Sequence, residues 1–387
     1  MKNNYSPIFF LSALGPGGMA VAFYMYFMFM TPHKGVAMPT YDTLMAYFNK
    51  TTIYGKVGMG LVLFAVLFFA YKHIQLLIKN TIEYKKFKKT QAYKNMKGTL
   101  QEITLMAIPL TYAMAINVMF ILGAILVPGL WDVVEYLFPG ALLGFLIVGF
   151  FAFKIFLEYF VPIIINGNEE WENNTNFSQL LSVFAFVMIG VGFAAPGAMS
   201  HIKVVNAIGL FFSFMFIGAA VGLMILKFVL GFHSVIKHGI AKKAAPTLWI
   251  LIPILTLIGI TFFRQRFGLA HNFADGHSSV NEFTFVLTGA IIAVETLIGL
   301  FGYFVMKELK YFDEYVHGDT KDPATYALIC PGVAYTVFGF FFIHWGLVYN
   351  GVVTKFSIGY WVLVAILAFI QYKTVATMLK LNKKFGL

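Results

Sequence analysis

The chain has 387 residues, of which 59% are hydrophobic and only 12% charged, with a net charge of +11 and a single cysteine. A soluble globular domain carries roughly 25% charged residues, so the composition excludes a soluble fold and points to an integral membrane protein, while one cysteine excludes an internal disulfide framework. The basic excess does not suggest a nucleic-acid partner, because the lysines fall in loops of one topological parity, which is the positive-inside pattern.

Ten apolar runs are expected to cross the bilayer, at about 7–30, 53–78, 101–127, 134–165, 177–199, 204–235, 246–264, 280–307, 324–349 and 355–380. A spanning helix needs about 20 residues. The runs are too long and too continuous for the strands of an outer-membrane barrel, which alternate with a period of two. Met1-Lys2 leads straight into the first run, so no cleaved signal peptide is expected. The whole chain, 1–387, reads as one all-α transmembrane domain of five hairpins.

Span one contains Leu14-Gly15-Pro16-Gly17-Gly18-Met19. Span two lacks proline, and the loop after it carries Lys79, Lys85, Lys86, Lys88, Lys89, Lys94 and Lys97. Span three contains Ile108-Pro109. Span four has Pro139 and Pro162 near its ends, with Lys154 and Glu158 four apart on one helix face, where they can pair. The loop after it is acidic (Glu169, Glu170, Glu172) and is the exception to the lysine pattern. Span five carries Phe184 and Phe186, and its Pro196 lies near its far end. Span six contains Lys227 and is followed by Lys237, Lys242 and Lys243. Span seven contains Pro253 and ends on the only arginines, Arg264 and Arg266. Span eight contains Glu295 and is followed by Lys307, Lys310 and Lys321. Span nine contains Cys330-Pro331-Gly332 and His344, and span ten is followed by Lys380, Lys383 and Lys384. The lysine-rich loops and both termini fall on one side, which is expected to be cytoplasmic.

Pro16, Pro109, Pro253 and Pro331 lie at a similar depth, roughly seven to nine residues into alternate spans. A proline inside a helix leaves a carbonyl unpaired, and lipid cannot satisfy it. The odd spans are therefore expected to line a pore, with Pro16, Gly17, Pro109, Phe184, Pro253, Cys330 and Pro331 as pore-lining or gating positions. Ordinary helix packing is the competing explanation for the glycines. Arg264 and Arg266 would draw anions to the pore mouth, with Lys56 and Lys203 as companions; interfacial anchoring is the alternative. Ionisable groups inside a bilayer are expensive and informative. Lys154, Glu158 and Lys227 are expected to snorkel to the boundary. Glu295 lies deeper and would either pair with a lysine such as Lys227 or carry a proton.

Cys330 is a small hydrophobe or, beside a proline-broken helix, a reactive thiol favoured by a new helix N-terminus. The second option would make the protein a membrane redox protein working with a partner, with Cys330 as its catalytic residue. Haem or quinone binding is a third option. Haem needs axial histidines at matching depth, and His73, His233 and His344 are the candidates, with His201, His271 and His277 on the outer side. No zinc spacing, phosphate loop, dinucleotide fingerprint or nucleophile elbow is present, so no cofactor, no metal site and no enzymatic role is expected.

With these features the chain resembles the TehA-like group of tellurite-resistance proteins, dicarboxylate transporters and slow anion channels. The resemblance is one of topology over almost the whole length. It implies ten helices as five hairpins, proline-kinked odd helices in an inner ring around a pore, cytoplasmic termini, a trimer in a bacterial inner membrane, and passage of an inorganic anion, sulfur oxyanion or dicarboxylate. The group carries a Phe-Pro pair in span nine whose phenylalanine plugs the pore; the corresponding pair here is Cys330-Pro331, so the plug is replaced by a small thiol. A weaker resemblance is to TsoY-type membrane proteins, some of which carry selenocysteine, and it implies a redox role for Cys330.

Overall fold

The computed structural model describes residues 5–168, 174–273 and 281–387. Glu169, Glu170, Glu172 and His277 lie outside the described residues, as does the side chain of His271. Among the described residues the chain is helical and has no strand. Its helices are α1 (Leu11–Met30), α2 (Tyr41–Lys50), α3 (Ile53–Phe87), α4 (Gln91–Met96), α5 (Ala107–Leu126), α6 (Val134–Asn166), α7 (Leu181–Met199), α8 (Lys203–His238), α9 (Leu251–Asn272), α10 (Asn281–Glu308), α11 (Ile329–Phe341) and α12 (Ile358–Phe385). Helices α2 and α4 are short. The other ten are long and apolar enough to cross a membrane, once the turns that continue them are counted.

The expected spans are recovered with one systematic difference. Helix α3 runs to Phe87 and α8 to His238, beyond their apolar cores. The α3 tail holds Lys79, Glu83, Lys85 and Lys86 and the α8 tail Lys237; lysine and glutamate are good helix formers, so the backbone stays helical past the point where the side chains stop being apolar.

Burial divides the ten by parity. In the most apolar window of the odd spans, 83%, 61%, 94%, 61% and 67% of residues are buried; in the even spans the figures are 28%, 33%, 33%, 17% and 28%. A helix that is apolar all round belongs in an interior, and α7, buried at every position from Leu181 to Ala194, is the extreme case. Helix α1 packs on α5 and α11, α5 on α7, α7 on α9, and α9 on α11. The even spans attach outside: α3 on α1, α6 on α5 and α7, α8 on α7, α10 on α9, and α12 on α11. Their large side chains, such as Phe64, Phe150, Phe214, Leu297 and Phe369, are exposed, as lipid-facing residues are.

Each odd span begins with a 3-10 turn before it becomes α-helical: Pro7–Phe10, Leu100–Met106, Ser178–Leu180, Lys242–Trp249 and Pro323–Leu328. This changes the meaning of the prolines. Pro109, Pro253 and Pro331 are each the third residue of an α-helix that follows such a turn. A 3-10 turn pairs a carbonyl with the amide three residues on. The carbonyl that a proline would otherwise orphan is therefore within reach of the residue just before it. These three prolines mark a change of winding and not a break in mid-helix. Pro16 and Pro196 do lie inside their helices.

Candidate functional site

A cavity of about 1140 Å³ lies between α1, α5, α7, α9 and α11. Its mouth is on the side opposite both termini, where the segment 31–38 and Lys355 border it, and Pro32, Lys34, Gly35 and Ala37 are exposed there. Its deepest wall residues include Leu14, Gly15, Met114, Phe184, Pro253 and Cys330. Beneath them the first turns of the five helices close the floor, with Phe10, Leu110, Leu181, Ile252 and Ile329 all between 0% and 3% exposed.

Helical phase selects the wall. On α1 the lining residues are Leu14, Gly15, Gly18, Val21, Tyr24, Met25, Met28 and Phe29, which recur at the three- and four-residue steps of one helix face. Phe184, Pro253, Cys330 and Arg264 line the cavity; Pro16, Gly17, Pro109 and Pro331 do not. A step of one residue turns the side chain by about 100°, so a proline beside a wall residue faces a neighbouring helix. Gly17, for example, is packed so closely on His73 and Met114 that a Cβ would strike both.

The wall is mostly aliphatic and aromatic, with a few polar groups. Arg264, on α9, is the deepest cation. One of its guanidinium nitrogens, Nη1, donates to the Val191 carbonyl on α7 at 2.8 Å. No carboxylate pairs with it among the described residues. Nearby on α5, Asn117 donates to the Ala113 carbonyl at 3.2 Å and lies 3.8 Å from the Met188 sulfur. Lys34 and Lys355 stand at the mouth. Partial burial holds the proton affinity of Lys355 below that of a free lysine, and burial does the same to His33 beside it, with the Lys355 charge adding to the effect. The described lining contains no aspartate or glutamate, so the cavity is electropositive from mouth to wall.

Arg266 is not on the wall, although Arg264 is; two residues apart on a helix, they point about 200° apart. Nor are Lys56 and Lys203, which lie over the rings of Phe48 and Phe273, at 5.2 and 5.0 Å from the ring centroids. Of the polar wall residues, sequence reasoning missed Asn117, Thr256, Lys34 and Lys355. For Asn117 a signal existed, because an amide in a run as apolar as span three has to find partners.

The intramembrane charges behave differently from expectation. Lys227 does not snorkel: it is 2% exposed, and its ammonium donates to the Gln179 carbonyl at 3.2 Å and to the Ser182 hydroxyl at 2.9 Å, over the rings of Phe156 and Phe160. Lys154 is exposed on α6, and Glu158 pairs not with it but with Lys97, at 3.3 Å. Lys97 also pairs with the buried Glu102, and those two carboxylates raise its proton affinity against the opposing effect of burial, which is the largest single influence on it. Glu295 makes no contact with Lys227. It is 0% exposed, accepts a 2.6 Å hydrogen bond from the Thr256 hydroxyl through Oε1, and leaves Oε2 without a partner.

Among the described residues, the candidate haem histidines His73, His233 and His344 stand in three different settings. His344 sits in a π-helical turn, Phe342–Val348. Its Nδ1 donates to the Phe340 carbonyl at 2.9 Å, and Nε2 is 2.9 Å from the Tyr360 hydroxyl. His73 donates through Nδ1 to the Ala13 carbonyl at 2.8 Å, within the α1–α3 contact, whereas His233 is exposed on α8. Among the described residues no three His, Cys, Asp or Glu side chains gather as a metal site. No protein-family model, no curated protein and no solved structure matches the chain.

Proposed function

We propose that the protein carries small anions across a membrane, with α1, α5, α7, α9 and α11 as an inner ring around the path. One observation carries the reading: the cavity between these helices is lined by Arg264, Lys34 and Lys355, with no acidic side chain among the described lining. A low-dielectric wall sharpens the field of such charges and concentrates counter-ions. Lys34 and Lys355 recruit the anion at the mouth. Arg264, whose guanidinium has five N–H donors and uses Nη1 on Val191, offers the remaining ones to an oxyanion or halide deeper in. The floor formed by the first helical turns then has to move for the anion to leave on the other side.

The lysine-rich loops put the termini in the cytoplasm under the positive-inside rule, so the cavity faces outward. The resemblance to TehA-like transporters and channels agrees with this reading and suggests a trimer. The substrate class is an inorganic anion, a sulfur oxyanion or a dicarboxylate.

The test is anion efflux from liposomes containing the purified protein, loaded in turn with chloride, nitrate, sulfite and malate. Efflux of at least one anion that falls in Arg264→Gln supports the proposal. Movement of cations alone, or efflux unaffected by Arg264→Gln, overturns it.

A further inference from the structure

Helix α10 is the most exposed of the ten spanning helices, with 17% of its central window buried, yet it carries a glutamate that is completely buried. Glu295 faces inward to α9, where Thr256 holds one of its carboxyl oxygens at 2.6 Å and the other oxygen has no partner. Thr256 is a cavity-wall residue. Its hydroxyl thus links an inward-facing carboxyl to the proposed anion path.

Among the described residues no fixed cation is paired with this carboxyl. The elements packed on α10 are α9, α11, the π-helical turn of 342–348 and the 3-10 turn of 242–249. On α9, Arg264 is about two turns further along and is bonded to Val191. On α11 the titratable groups are Cys330 and Tyr335, and the Tyr335 hydroxyl is engaged with Thr296 at 2.8 Å. In the π-helical turn His344 is held by Phe340 and Tyr360. In the 3-10 turn Lys242 is paired with Glu314, and Lys243 is exposed. None of these is bonded to Glu295. A charge inside a bilayer needs a compensating partner, and a carboxyl without a fixed one is suited to a mobile one.

We propose that Glu295 is the binding site of a proton that crosses with the anion, loaded from the cavity through the Thr256 hydroxyl. In the loading step a hydronium ion in the cavity gives a proton to Thr256 Oγ1 as the hydroxyl's own proton passes to Glu295 Oε1. A water molecule, an unchanged threonine and a neutral carboxylic acid result. The reverse step on the other side returns the carboxylate. A monovalent anion and one proton then cross with no net charge, which removes the membrane potential as a barrier. The inference rests on the anion reading for its cargo, but its proton site can be measured without any transport.

Two experiments separate the two ideas. In the first, infrared spectra of the purified, detergent-solubilised protein are recorded across a pH series. The carbonyl band of a protonated carboxylic acid is expected in the wild type, to shift in Thr256→Val, and to be missing from Glu295→Gln. Spectra identical in wild type and Glu295→Gln at every pH overturn the proposal. In the second, proteoliposomes with a pH-sensitive dye in the lumen are given an inward nitrate gradient. Luminal acidification per nitrate moved is expected in the wild type and lost in Glu295→Gln. Nitrate entry without acidification in the wild type overturns the coupling and leaves the anion reading standing. If no anion moves while the infrared band is present and titrates, the anion reading fails and the proton site is retained.

Discussion

Two cations lie inside the apolar bundle, and they are treated in opposite ways. Lys227 is buried: a carbonyl, a hydroxyl and the faces of two phenylalanines surround its ammonium, and it is not among the lining residues of the central cavity. Arg264 has one carbonyl and an open cavity. Taking a charge out of water costs several kcal/mol unless something replaces the solvent. At Lys227 the protein supplies that replacement, and the charge holds α8 to the start of α7. At Arg264 the replacement is left incomplete, and the missing part is what a solute anion would provide. A buried charge is thus a candidate for function when its surroundings are unfinished, whatever its depth.

The comparison can be broken most directly at Arg264. A hydrogen bond to a charged group is worth about 1.5–3 kcal/mol, so Arg264→Gln is expected to weaken anion affinity by about 10- to 100-fold. Anion-dependent thermal shift of the purified protein measures it, and the unliganded melting temperature should barely move. Arg264→Lys should recover part of the affinity, since it keeps the charge and loses the fork of donors. The opposite pattern is expected at Lys227. There Lys227→Ala should destabilise the fold by about 1–3 kcal/mol, because Ser182 and Gln179 lose their partner in a buried space, and anion affinity should stay unchanged. Lys227→Met fills the volume without the charge and should come closer to wild-type stability, as replacing buried ion sites by apolar residues often does. A smaller effect, about 1 kcal/mol, is expected from Ser182→Ala, which removes one of the two acceptors.

The mildest change is expected at the cavity floor. Cys330→Ser exchanges one small side chain for another and should leave efflux within about twofold of wild type, a difference of under 1 kcal/mol. Loss of activity in that variant would instead support the redox role of the thiol. Cys330→Phe should reduce efflux, because its ring would enter the deep end of the cavity.

Much of the bundle was legible in the sequence, because bilayer thickness leaves a direct mark on the length of an apolar run. What was not legible was which helices lie inside. All ten have similar mean hydropathy, between 1.6 and 2.3 in their central windows, since lipid and protein interior are equally apolar. Only the positions of proline and glycine hinted at the difference. The wall itself required helical phase, which is why Cys330 and Pro253 line the cavity while Pro331 and Gly17 do not. Arg264 and Arg266 were indistinguishable as letters, and their separation appears only once the rotation of α9 is fixed. Lys227 was misread because a long aliphatic stem suits an interface and an interior alike. The link between Thr256 and Glu295 joins two different helices, and no local pattern announces it.

The tightly wound starts of the inner helices carry a mechanical consequence. The 3-10 form rises about 2.0 Å per residue against 1.5 Å for the α form, and turns 120° against 100°. If the eight residues of Lys242–Trp249 rewound as α-helix, that segment would shorten by about 4 Å and rotate the rest of α9 by about 160°. Each inner helix thus stands on a short screw thread beneath the cavity, so winding and unwinding could lift or turn the floor while the helices above stay straight.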